Sequence, residues 1–235
     1  MDLRRSTIDR GKRLIRQLLR QDIWSSAQVN ISKTFLGTDY GGYCIHPDKI
    51  TPDSVVYSAG IGRDIEFDRL MIERYGVAVH AFDPTPRAIA WIRAQDLPQG
   101  FHLHEWGLAD FDGVAEFAAP VQDTFVSYSM SYGAGPNAES TEGEVCRLAT
   151  LMERLGHKHV DILKMDIEGA ECAVLRDIAN TAASIGQILV EFHPGKSHDG
   201  LKEMAGAIAK MNTAGYQIFH VSPSGREYSF IRNGA

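Results

Sequence analysis

The spacing of apolar residues changes character along the chain, and each change predicts an element. Residues 7–24, "TIDRGKRLIRQLLRQDIW", place Ile8, Leu14, Ile15, Leu18 and Leu19 at three- and four-residue spacing. That period predicts an amphipathic, basic helix. Residues 37–54, "GTDYGGYCIHPDKITPDS", are rich in Gly, Pro and Asp and read as a loop or lid-like segment. From residue 54 the pattern becomes regular. "SVVYSA" predicts a buried strand, Ile65 to Tyr75 a helix, and "VAVHAF" (77–82) a second strand. Pro86 to Ala94 predicts a helix with proline in its first turn, and "FHLHEW" (101–106) alternates as a third strand.

The second half repeats the alternation. "GVAEFAA" predicts an edge strand or hairpin, and "TFVSYSMSYGAGPNAESTEG" (124–143) reads as a polar loop. Helices are predicted for Leu148 to Leu155, Ala170 to Ala179 and Leu201 to Ala214. The runs "VDILKMDI" and "QILVEF" are the fourth and fifth strands. A strand pair around Ser222-Pro223-Ser224-Gly225 ends the chain. Strands alternating with helices predict parallel βαβ units. The expected fold class is α/β: a Rossmann-like, doubly wound, mostly parallel sheet, with a C-terminal antiparallel strand pair and an N-terminal helical extension. The expected division is an extension over 1–50 and one domain over 51–235.

Bulk properties narrow the function. With 235 residues, 44% apolar content and 23% charge, the chain can bury a full core without disulfides or metal. A net charge of −6 argues against a general nucleic-acid surface. The charge is uneven: residues 1–20 hold seven Lys/Arg against Asp2 and Asp9, so the remainder is clearly acidic. The predicted basic helix therefore suits a cap on the core, a contact in a homo-oligomer, or a peripheral membrane contact. Three cysteines outside any CxxC read as reduced thiols. No apolar run approaches the ~20 residues of a transmembrane segment, and the start lacks the apolar stretch of a secretory signal. A cytoplasmic protein is expected.

The candidate chemistry begins at Gly60 and Gly62, which follow the first strand and lead into a helix. Asp83 ends the second strand, 23 residues after Gly60, where an acid can accept hydrogen bonds from ribose hydroxyls. A dinucleotide loop reads GxGxxG, but here the third glycine position is Ile65. Asp64 would also stand near a pyrophosphate at the helix N-terminus. At ~4 Å and an effective dielectric near 20, that like-charge contact costs roughly 4 kcal/mol. S-adenosyl-L-methionine avoids the conflict, because it offers ribose, adenine and positive charge without phosphate.

The segments "VVYSAGIGRDIEFDRLMIERYGVAVHAFDPTP", "ILKMDIEGAE" and "ILVEFHPG" resemble the FkbM family of S-adenosylmethionine-dependent methyltransferases, over roughly residues 37–232. The resemblance implies a class I methyltransferase acting on hydroxyl oxygens of a small-molecule or glycan acceptor. It implies that Ser58, Ala59, Gly60 and Gly62 touch the cofactor, that Asp83 takes the ribose hydroxyls, and that Pro84 lies near the adenine with Trp106, Gly107 and Leu108. The family's usual first loop is nearer "DVGANIG"; Ser58 stands in place of its first acid, and Asp64 is the expected substitute.

Alcohol methylation needs the nucleophile aligned and its proton removed. Asp166, Glu168 and His193, at the ends of strands four and five, are the candidates for that work, with Lys164, Glu171 and Glu191 nearby. No zinc-site pattern is present. A site without metal is expected, a divalent ion near Asp166, Glu168 and His193 being the lesser alternative. No GxSxG elbow supports Ser-His-Asp hydrolysis. An NAD-dependent oxidoreductase and a non-catalytic binding module remain as rival readings.

Overall fold

The structure is a computed structural model that describes residues 3–38, 41–118, 129–130, 140–181, 183–194 and 198–234. A seven-stranded sheet forms its centre. The strands are β3 (Val55–Ala59), β4 (Ala78–Phe82), β5 (Phe101–His104), β10 (Val160–Met165), β11 (Ile185–Glu191), β12 (Tyr216–Val221) and β13 (Glu227–Arg232). Their spatial order is β12-β13-β11-β10-β3-β4-β5. The pairs from β11 across to β5 are parallel, while β13 pairs antiparallel with both neighbours. The reversed strand is thus one place in from the edge, and β12 is the edge strand. The chain is mixed α/β, with a mostly parallel central sheet and helices.

Period-two burial explains why these runs are strands. On β11, Ile188 and Val190 face one apolar layer and Leu189 the other. Helices α4 (Leu148–Leu155), α5 (Glu171–Asn180) and α6 (His198–Thr213) close the first layer through Leu151, Leu175 and Met211. Helices α2 (Glu66–Tyr75) and α3 (Pro86–Arg93) cover the other face through Phe67, Met71, Ala88 and Ile92. Phe67 and Met71 are fully buried, worth about 1.5–3 kcal/mol each. That packing fixes the start of α2 beside the end of β3.

Several expectations need correction. Residues 37–54 are not all loop: β1 (Thr34–Leu36) and β2 (Tyr43–Ile45) form a hairpin, and β2 is wholly buried. The glycines and proline around it hide a three-residue strand from a pattern search. Residues 140–143 are strand, the start of β9 (Ser140–Cys146). Its outer half alternates exposed and half-buried polar residues, which look like loop. β9 builds a second sheet, β6-β9-β7-β8, with β6 (Gly107–Leu108), β7 (Gly113–Ala118) and β8 (Ser129–Met130). β7 is therefore interior, not an edge, and its antiparallel pairing with the next strand, β8, agrees with the hairpin alternative. Most of the expected polar loop, including Ser127 and Tyr132, lies outside the described residues.

The N-terminal helix α1 spans Leu3–Leu18, starting and stopping earlier than predicted. It does not cap the core with its apolar side. Ile8, Leu14, Ile15, Leu18 and Leu19 are each at least half exposed. Arg13 donates to Ser25, and Arg16 donates to the carbonyl of Ser224 in the β12–β13 turn. A polar seam docks the helix and its apolar residues face outward.

Candidate active site

The site lies beyond the carboxyl ends of β3, β4, β10 and β11. Chain order runs outward from β3 to β4 and β5, then returns to start again at β10 on the other side. The reversal between β3 and β10 opens a crevice at the strand ends. Gly60 lines it with φ +72°, and a Cβ there would stand 1.7 Å from the Asp166 carbonyl oxygen. Only glycine fits. The Asp166 N–H in turn donates to the Ala59 carbonyl at 3.0 Å, so this loop and the β10 end are locked together. A Cβ on Gly62 would meet nothing within 4 Å, which marks the open side of the loop.

Asp83 organises that side. Its Oδ2 accepts the Gly62 N–H at 3.0 Å, and its Oδ1 accepts the Thr85 N–H at 2.9 Å and hydroxyl at 2.6 Å. Three donors leave lone-pair capacity for one more. Pro84 packs on the second sheet: a Cβ on Gly107 would lie 3.0 Å from its Cγ. Trp106 stacks on His104 with ring centroids 5.2 Å apart, and the Arg154 guanidinium lies 4.9 Å from the Trp106 ring centroid. Asp83, Pro84, Trp106 and Gly107 are thus brought together. Ser58, Ala59 and Leu108 are buried, Ala59 and Leu108 within the core layer, and can offer a ligand little beyond backbone.

Asp64 is engaged elsewhere. Its Oδ2 accepts the Thr38 hydroxyl at 2.7 Å and its Oδ1 the Glu66 N–H at 2.9 Å, so it clasps Thr38 to the start of α2. The acid beside Ser58 is Asp68, from α2. Asp68 is fully buried, and neither its oxygens nor Ser58 Oγ closes a hydrogen bond of good geometry. Burial pushes its carboxyl up to about 6, with Lys164 and Ser58 pulling the other way. Pattern reading missed this residue, although the signal was present. Asp68 sits three residues from both Ile65 and Met71, on the inward face of a helix, where a charge is out of place.

At the ends of β10 and β11 four carboxyl groups surround His193. Glu171 Oε1 accepts from Nδ1 at 2.9 Å and also takes the Gly169 N–H at 2.9 Å. Glu168 Oε2, Glu191 Oε1 and Asp166 Oδ1 stand 3.6, 3.7 and 3.8 Å from Nε2. Burial pushes the His193 imidazolium down. The Glu171 hydrogen bond and the charges of Glu171, Glu168 and Asp166 outweigh it and bring the group up to about 9. Burial, then the Asp166 charge, pushes Glu191 up to about 8. Burial also raises Asp166, against Lys164 and His193. Glu168 holds a positive φ of 51°, a conformation that non-glycine residues adopt at a cost. Asp166, Glu168 and His193 therefore meet as expected. Glu171 and Glu191 complete the group.

The glycine loop, the acid ending β4 and the carboxylate–histidine group now bear on identity. The methyltransferase FkbM domain is matched over residues 37–218. The chain belongs to the FkbM methyltransferase family. It is also similar to the probable methyltransferase-like protein 24 of Rattus norvegicus and of Homo sapiens, 24% identical to each over 140 residues. Those alignments cover 59% of this chain and 32% of each relative, so they concern about a third of the relatives' length. All residues of the candidate site described above fall inside the matched span. Among the described residues no helix is long and apolar enough to cross a membrane.

Proposed function

We propose that the chain is an S-adenosyl-L-methionine-dependent O-methyltransferase of Rossmann-like, class I architecture. The observation that carries the reading is Asp83. One buried carboxylate, at the end of the strand next to the glycine loop, ties Gly62 in place and keeps an acceptor site in reserve. That suits a ribose diol lying over the loop. Gly60 and Gly62 let the backbone approach the ligand, Pro84, Trp106 and Gly107 flank the base, and Ser58, Ala59 and Leu108 form the floor. Asp64 acts by holding Thr38 rather than by holding the cofactor's amino group. The surrounding carboxylates favour the ammonium and sulfonium charges of this cofactor and disfavour a pyrophosphate, which weighs against an NAD-dependent oxidoreductase.

The acceptor hydroxyl, of a sugar or similar small molecule, would enter beside Asp166 and Glu168. His193 has one nitrogen on Glu171 and the other facing three carboxylates. It therefore anchors the group, and Asp166 and Glu168 are placed to receive the proton. Cofactor binding by the full chain, lost in Asp83→Ala, tests this reading.

The outward apolar residues of α1 lie on a helix whose sequence is rich in Lys and Arg. That combination suits an anionic membrane surface, and we assign α1 to peripheral contact with such lipid.

A further inference from the structure

All four carboxyl groups at the ends of β10 and β11 have the same imidazole, His193, as their ion-pair partner. Among the described residues one imidazole thus serves four carboxyl groups. Only Glu171, among the described residues, makes a hydrogen bond to the ring; the three oxygens facing Nε2 stand too far for one. Asp166 Oδ1 is buried with no hydrogen-bond partner. The Tyr43 hydroxyl, on a side chain only 2% exposed, is also without one and lies within the electrostatic reach of Asp166 and Glu191. Polar atoms sealed from water without partners are costly, and they point to a further ligand at this place.

We propose that Asp166, Glu191 and Nε2 of His193 bind a divalent cation of the Mg²⁺ and Mn²⁺ class, with Glu168 as a further oxygen ligand. The ligand atoms of Asp166, Glu191 and His193 lie within 4.8 Å of one another, and Glu168 Oε2 stands 3.6 Å from Nε2. Small side-chain rotations bring such a set onto the ~2.1 Å bonds these ions require. The set is mostly carboxylate with one imidazole and no thiolate, which suits hard ions. Glu171, 1% exposed, supplies the outer support: as an acceptor it fixes the proton on Nδ1 and turns the Nε2 lone pair to the ion. Three ligands come from two adjacent strand ends of a rigid sheet, so the site is preorganised. The ion would stand beside the Gly60 loop, where it could polarise an acceptor hydroxyl. That use rests on the methyl-transfer reading; the binding does not.

The test uses the full chain, stripped with a chelator and titrated with MnCl₂ without any nucleotide. The paramagnetic resonance signal of free Mn²⁺ reports binding. One site per chain is expected, with affinity falling at least tenfold in Glu191→Gln and His193→Asn, and roughly tenfold in Glu171→Gln. Melting curves verify folding, and Glu168→Gln serves if Glu191→Gln does not fold. Mn²⁺ that stays free at millimolar protein-site concentrations overturns the proposal. So does equal affinity in the wild type and the folded variants. Because no nucleotide is present, failure here is separable from failure of the cofactor reading.

Discussion

Gly60 and Asp166 are packed so tightly that a Cβ on the glycine would lie 1.7 Å from the aspartate's carbonyl oxygen. The first loop of the sheet and the end of β10 are therefore one unit. Gly60→Ala must displace backbone, not a flexible side chain, and must also hold φ +72°. A loss of about 3 kcal/mol or more is expected, read as a lower denaturant midpoint. Gly62→Ala, with nothing within 4 Å of its Cβ, should lose about 1–2 kcal/mol from its positive φ alone. Equal losses would contradict the contact.

Asp166→Asn should lower turnover by about a hundredfold or more while leaving cofactor affinity within a few-fold, because its role is in acceptor chemistry. Steady-state rates with S-adenosylmethionine, paired with binding measurements, check this. Full activity in the variant would remove Asp166 from the mechanism.

Asp68 gives a pH signature. Its carboxyl is raised from 3.8 to about 6 by burial, so folding favours the protonated form. The stability this provides is complete below the ordinary carboxylate range and is lost as pH rises through about 6. Asp68→Asn should therefore gain on the wild type between pH 4 and pH 7, by about 2–3 kcal/mol. Urea unfolding at several pH values measures the gap. A gap that does not change with pH would show that Asp68 does not titrate there.

The double variant Leu14→Glu with Leu18→Glu should abolish sedimentation with vesicles containing anionic phospholipid. Arg13 and Arg16 still dock the helix, so melting temperature and cofactor binding should be unchanged. Undiminished vesicle binding would exclude α1 as the contact.

Much of this fold is legible from the chain alone, for a physical reason. Strands buried on both faces, such as "ILV" in β11, must be continuously apolar, and helices between them must carry an apolar stripe. β2 and β9 escaped because they are short or half solvated, so their residues are chosen for turns and for water. The same division holds at the site. Gly60, Gly62, Asp83 and Asp166 stand at strand ends that topology alone brings together. The pairing of Asp64 with Thr38, and of Ser58 with Asp68, depends on how one helix and one loop pack, which no spacing encodes. The gathering of Glu171, Glu168 and Glu191 on His193 likewise depends on side-chain directions across two strands.

The most direct test of the central claim is calorimetric titration of the full chain with S-adenosylmethionine, S-adenosylhomocysteine and NAD, with Asp83→Ala alongside. The account predicts binding of both sulfur nucleotides and none of NAD. It predicts weakening by about 1–3 kcal/mol in the variant, the size of a hydrogen bond to a charged group. Binding of NAD in preference to either sulfur nucleotide would contradict it, as would sulfur-nucleotide affinity unchanged by loss of Asp83.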